Sequence, residues 1–140
     1  MRMIIVGEGS QRAAAERAAA DSGVSDRITW VGSAGGDELA RLYVGARAVI
    51  YAPFDEDYGY VTLEAFLSAK PVITASDSGG TLEFVVDGVN GFVCDPTPEA
   101  IGAAATRLAH DVSLTARLGN AGRDRARTIT WDGVVEQLLG

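Results

Sequence analysis

The 140 residues hold one cysteine, one histidine and a single lysine, Lys70, among twelve basic side chains. Each scarcity excludes something. Cys94 has no partner for a disulfide and no neighbouring thiol for a metal site, which fits a reducing compartment and the role of a small hydrophobe at a strand end. His110 falls near the end of an alanine-rich helical segment, where a cation suits the helix dipole, and no Ser-His-Asp or Cys-His triad is read around it. Basic residues are outnumbered twelve to nineteen, for a formal charge of −7, and are scattered; the electrostatic footprint of a nucleic-acid binder is missing. No apolar run approaches the ~20 residues of a membrane helix. MRMIIVG runs directly into Glu8 rather than into a signal-peptide core. A cytoplasmic location without an integral membrane segment is expected. There is no P-loop, repeat, linker or low-complexity tail.

What is present is an ordinary globular composition, 47% hydrophobic and 22% charged, of a length that suits one domain over residues 1–140. Short β-branched runs recur: MIIVG, ITWVG, AVIYAP, PVITA and GFVCD. Each is nearly continuous in apolar character, as strands buried on both faces should be. Helical spacing fills the gaps. QRAAAERAAADSG stops at Gly23, DELARLYVGA places Leu39, Leu42, Tyr43 and Ala46 on one face, and TLEAFLSA and TLEFVVDG follow, the last ending in a DGVNG turn. The alternation predicts an α/β fold, a Rossmann-like parallel sheet with helices on both faces. After Asp95 the pattern becomes a helical tail of three segments: PTPEAIGAAATRLAH, with Thr97 as N-cap and Pro98 at its first position, then SLTARLGNAGRDRARTI and WDGVVEQLLG.

Candidate chemistry gathers at the carboxyl ends of the strands, where open α/β sheets bind ligands. The first strand ends in GEGSQR. Gly7 and Gly9 resemble in part a dinucleotide-binding turn, but position 12 is an arginine rather than a third glycine. ITWVGS also lacks the acidic residue that holds a ribose diol in an NAD site. A tight turn needing positive φ explains this GxG equally well. The stretch DEDYGYVTLEAF is more specific: Gly59 introduces a helix near Tyr60, with Glu56 just before it and Glu64 in its first turns. A helix start offers unpaired N–H groups and partial positive charge to a phosphate, and two carboxylates beside it could each accept from vicinal hydroxyls. The bland alternative is that acidic residues favour a helix start without any ligand, and that Tyr58 and Tyr60 are packing aromatics. The loops GSAGGDE and SDSGGTLE lie at corresponding strand ends, and their glycine pairs permit close backbone approach.

Pro53-x2-Glu56-x-Tyr58-Gly59-x4-Glu64-Ala65, then Lys70-Pro71-Val72-Ile73, Ser78-Gly79-Gly80-x2-Glu83 and Asp87-Gly88-x2-Gly91-Phe92-Val93, resembles the donor-binding half of retaining GT-B glycosyltransferases of the group 1 (GT4) type. The E-x7-E pair in that context is their hallmark, and the similarity runs from Met3 to about Leu108. The resemblance implies the C-terminal half of a GT-B fold and a nucleotide-sugar, UDP-, GDP- or ADP-linked, as partner, with no metal or other cofactor. Glu56 would be the main active-site carboxylate, on hydroxyls of the transferred sugar, and Glu64 would hold the ribose. The backbone at Tyr58, Gly59 and Tyr60 would meet sugar and diphosphate, Ser33 and Ala34 would line the base, and Gly7 and Gly9 match the family's V-G-x-G turn.

Two departures accompany it. The arginine and lysine that neutralise the donor diphosphate in the family lie upstream of Met1, and so does the acceptor-binding N-terminal domain. Asp57 also stands where glycine is frequent. The expectation is a donor-binding domain, truncated at its N-terminus, that does not transfer sugar efficiently by itself. The alternative is a non-catalytic Rossmann-like nucleotide-binding or interaction module.

Overall fold

A computed structural model describes residues 1–130 and Val135. The helix expected over WDGVVEQLLG therefore lies almost wholly outside the described residues. The chain divides into two compact units, residues 1–41 and 42–140. All five expected strands form, and every strand pairing among the described residues is parallel, in two sheets, one within each unit.

In the first unit β1 (Met3–Val6) pairs with β2 (Ile28–Val31), with Met3 opposite Ile28 and Val6 opposite Val31. Helix α1 (Arg12–Asp21) connects them. It stops as its composition predicts: Gly23 takes φ +67, and the Ser22 and Gly23 amides donate back to the carbonyls of Ala18 and Ala20. On its first turn Arg12 reaches Glu8 at 3.3 Å and Glu16 at 2.9 Å, exposed pairs of small energetic weight.

Helix α2 (Gly36–Gly45) follows, and the boundary between the units falls within it. Leu39, Leu42 and Tyr43, with Ala46 just past its end, the face expected from their spacing, are half-buried, while the intervening residues are exposed.

The second unit holds β3 (Val49–Ile50), β4 (Val72–Ala75) and β5 (Gly91–Cys94) in that order across the sheet, with α3 (Tyr60–Leu67) between β3 and β4. Strand β4 is central and buried throughout, which is why its sequence does not alternate in polarity. Successive side chains of a strand point to opposite faces, so Val72 and Ile73 belong to different cores. Val72 packs with Ala65 and Phe66 of α3, Phe84, Val85 and Ala126. Ile73 packs with Phe92 and with Ala105, Leu108, Leu114 and Leu118. These last four come from α4 (Pro98–His110) and α5 (Val112–Arg127), so helices cover both faces. Thr97 caps α4 by accepting the Ala100 amide at 3.3 Å, with Pro98 at the first position, and His110 ends it exposed. Asp111 caps α5 by accepting the Leu114 amide at 2.8 Å; that bond, with the Ser113 hydroxyl, holds its carboxyl below the usual range.

One expected helix does not form. TLEFVVDG contributes only a single 3-10 turn, Gly80–Glu83. The reason is the buried side chain of Asn90, which donates to the Phe84 carbonyl at 2.9 Å and accepts the Val86 amide at 2.8 Å. It takes over backbone groups that a helix would have paired internally, and the β-branched pair Val85-Val86 does little to resist. The released chain turns at Gly88, φ +69, into β5.

Candidate functional site

The second unit builds its loops against one another at the carboxyl ends of β3 and β4. The Tyr51 amide donates to the Ile73 carbonyl at 2.9 Å, and the Asp55 amide to the Asp77 carbonyl at 3.0 Å. Glu56 then forms a parallel bridge with Gly79, and the Gly80 amide donates to the Glu56 carbonyl at 2.6 Å. A Cβ on Gly80 would collide with the Asp57 carbonyl, so the glycine pair permits this approach. The SDSGG loop thus fixes the backbone of the DEDYG loop.

Gly59 stands at φ +74 as the N-cap of α3, and its carbonyl accepts the Thr62 amide at 2.9 Å. A Cβ there would lie 2.7 Å from Thr81 Oγ1 and 3.6 Å from Thr62 Oγ1. Both hydroxyls are fully buried without a hydrogen-bond partner among the described residues, so the start of α3 is flanked by polar atoms inside an otherwise apolar setting. Tyr58 packs its ring at 4.9 Å from Tyr60 and 5.0 Å from Phe84; the Tyr60 side chain is 71% exposed. Tyr58 therefore has the packing role its aromatic character allows, whereas Tyr60 faces solvent.

The two glutamates share a feature. The Tyr51 hydroxyl donates to Glu56 Oε2 at 2.7 Å, and the Tyr43 hydroxyl, on α2, donates to Glu64 Oε2 at 2.9 Å. In each carboxylate the second oxygen, Oε1, has no hydrogen bond among the described residues. Burial, and then the bond to Glu56, pushes the Tyr51 phenol up to about 12; burial and Glu64 push Tyr43 higher still, so both remain donors at neutral pH.

Gly7, Gly9, Ser33 and Ala34 belong to the first unit. Gly7 takes φ +123 after β1, and its amide donates to the Gly32 carbonyl at 3.0 Å, which accounts for one glycine of the GxG as a turn. Gly9 has ordinary φ, and its carbonyl accepts the Arg12 amide at 3.1 Å. Ser33, exposed, and Ala34, half-buried, lie between β2 and α2. Cys94 is half-buried at the end of β5, its thiol pushed up by burial and by Asp87 and Asp95. Among the described residues no cluster of three or more His, Cys, Asp or Glu could hold a metal ion, and no helix is long and apolar enough to cross a membrane.

Sequence reading missed Tyr43, Tyr51, Thr62 and Thr81. Tyr43 was legible only as part of the apolar face of α2, and Tyr51 only as a strand residue. Neither carries a motif that announces a carboxylate partner.

Fold and site together define a parallel α/β domain with paired carboxylates around a glycine-started helix. Residues 1–125 match the family model for glycosyl transferases group 1. The chain belongs to that family. It is 35% identical over 119 residues to the alpha-1,3/1,6-mannosyltransferase ALG2 of Mus musculus, covering 84% of this chain and 28% of that protein. It is likewise 35% identical over 122 residues to the D-inositol 3-phosphate glycosyltransferase of Salinispora arenicola, covering 86% and 27%. The chain thus spans just over a quarter of the length of these relatives. Among solved structures it is similar to sucrose-phosphate synthase from Thermosynechococcus elongatus, with a TM-score of 0.84, 26% identity and coverage of 96% and 36%. Anabaena Alr3699/HepE, solved in complex with UDP and glucose, gives 0.79 and 26%, with coverage of 99% and 39%. These likenesses agree with the C-terminal, Rossmann-like half of a GT-B glycosyltransferase.

Proposed function

We propose that the chain is the donor-binding half of a retaining, GT4-type glycosyltransferase and holds a UDP-, GDP- or ADP-linked sugar for transfer to an acceptor bound elsewhere. The observation that carries this reading is the placement of Glu56 and Glu64 on either side of the glycine that starts α3, each with one carboxylate oxygen that has no hydrogen bond among the described residues. The UDP and glucose of the HepE complex, in a relative of the same fold, support a nucleotide-sugar as ligand.

In this reading Glu56 accepts from hydroxyls of the transferred sugar, and Glu64 from the ribose. The backbone of Tyr58, Gly59 and Tyr60 meets sugar and diphosphate. As the glycosidic bond to the diphosphate breaks, positive charge grows on the sugar ring beside Glu56 and negative charge on the leaving diphosphate. The N-terminus of α3 favours that leaving charge. None of the residues assigned to this site binds an acceptor or supplies the arginine and lysine that neutralise the diphosphate. Positioning is worth several kcal/mol of barrier. The 140 residues alone therefore do not transfer sugar efficiently, and donor binding needs no metal.

Calorimetry with UDP-glucose, GDP-mannose, ADP-glucose and NAD, with and without EDTA, tests the reading. One of the sugar nucleotides binds, EDTA makes no difference, and Glu64→Ala weakens binding by roughly 1–3 kcal/mol as charged hydrogen bonds are lost. Binding of NAD and of none of the sugar nucleotides would overturn it.

A further inference from the structure

The rings of Tyr43 and Tyr51 pack against the same core as Phe66 and Phe84. Burial of those rings is accounted for by the core; their hydroxyls are not, since a phenylalanine would fill the same space. Each hydroxyl instead ends on one of the two glutamates that the sequence singles out, from a different element in each case. The donor to Glu64 comes from α2, twenty-one residues away in sequence, and the donor to Glu56 from the end of β3, five residues away. Both bonds go to Oε2; the Tyr51 bond, at 2.7 Å, has the short O–H to carboxylate geometry of a charge-assisted hydrogen bond, and the Tyr43 bond, at 2.9 Å, is longer.

We infer that Tyr43 and Tyr51 are positioning residues that anchor Glu64 and Glu56 through Oε2, so that Oε1 of each is the oxygen presented to ligand hydroxyls. The inference rests on the nucleotide-sugar reading of this site and assigns the two phenols separate effects. Glu64 is an exposed side chain on a helix, free to sample several rotamers without its partner. Anchoring it at one oxygen leaves the other with a fixed direction, which a ribose diol needs if both its hydroxyls are to be met. Glu56 sits in a loop whose backbone is fixed by Gly79 and Gly80, and Tyr51 fixes the side chain as those glycines fix the main chain.

The test uses the 140-residue chain and three sets of probes: UDP, GDP and ADP; their 2′,3′-dideoxy forms; and UDP-glucose, GDP-mannose and ADP-glucose. Tyr43→Phe is expected to weaken binding of the diphosphate whose base the protein selects by roughly 3- to 10-fold. This is a fraction of a charged hydrogen bond, given that tenfold corresponds to about 1.4 kcal/mol. It leaves the dideoxy form unchanged and adds nothing in a Glu64→Gln background. Tyr51→Phe leaves the diphosphate unchanged, weakens the sugar-linked form by a similar factor and adds nothing to Glu56→Gln.

Circular dichroism and thermal melting of each variant accompany the titrations, and the Glu→Gln variants read the same couplings with both tyrosines intact. If Glu64→Gln abolishes the preference for ribose while Tyr43→Phe does not, the positioning role is wrong and the site reading stands. Equal weakening of ribose and dideoxyribose probes by Tyr43→Phe marks a general structural role and also overturns it. If Glu64→Gln and Glu56→Gln leave every probe unaffected, or if no nucleotide binds the unsubstituted chain, the site reading fails first and the inference with it.

Discussion

The backbone of Glu56 lies so close to Gly79 that a Cβ on the glycine would stand 2.5 Å from the Glu56 carbonyl oxygen and 2.7 Å from its amide nitrogen. The contact joins two loops that leave adjacent parallel strands, and Gly79 holds φ +62 to make it. Gly79→Ala is therefore doubly disfavoured, by the left-handed backbone and by overlap with main chain that cannot rotate away. Loss of about 1–3 kcal/mol of stability is expected in urea titration. Affinity for the sugar nucleotide should fall as well, since Glu56 moves with its backbone.

Asn90 supplies both hydrogen bonds that end the 3-10 turn, and its side chain is 1% exposed. Asn90→Ala leaves the Phe84 carbonyl and the Val86 amide without these partners and should cost roughly 2–4 kcal/mol in denaturant unfolding. Asn90→Asp keeps an acceptor for Val86 but loses the donor to Phe84. Its cost at neutral pH should exceed that of the alanine, because it buries a carboxylate, and should shrink as the pH falls and the acid protonates.

Gly122 of α5 faces the ring of Phe66 on α3, which is fully buried; an added Cβ would lie 2.8 Å from Cε1 and 2.9 Å from Cγ. Alanine is the better helix former by about 1 kcal/mol, but overpacking of a tight core costs about 1–3 kcal/mol, so Gly122→Ala should destabilise on balance. Gly102, on the exposed side of α4, has nothing within 4 Å of its Cβ position. There the propensity term acts alone, and Gly102→Ala should stabilise by roughly 0.5–1 kcal/mol. Thermal melting of the two variants should show opposite signs.

Burial first and the Glu56 bond second push the Tyr51 phenol up to about 12 from its ordinary 10. A group whose folded pKa is raised contributes stability that is complete below its unfolded pKa. That contribution is lost as pH climbs through the folded value, here between 10 and about 12. Ultraviolet titration should show late phenolate steps from Tyr51 and Tyr43, of which the earlier disappears in Tyr51→Phe. Glu56→Gln should move that step to lower pH without restoring the ordinary value, because burial, the larger cause, is untouched.

Local chemistry in the sequence determined the five strands, through β-branched runs short enough for strands and apolar enough for burial. It also determined the Thr97-Pro98 helix start, the stop at Gly23 and the glycine that opens α3 between Glu56 and Glu64. These depend on neighbours within a few residues, where spacing and side-chain type carry the physics. The tertiary structure decided what such neighbours cannot: that TLEFVVDG yields its helix to the amide of Asn90, that Gly79 and Gly80 tie one loop to another, and that Gly122 makes room for Phe66. It also decided that each glutamate has a tyrosine at one of its oxygens. Those hydroxyls reach their carboxylates only because ring burial places them there, and burial of a ring is a property of the packed core rather than of any spacing along the chain.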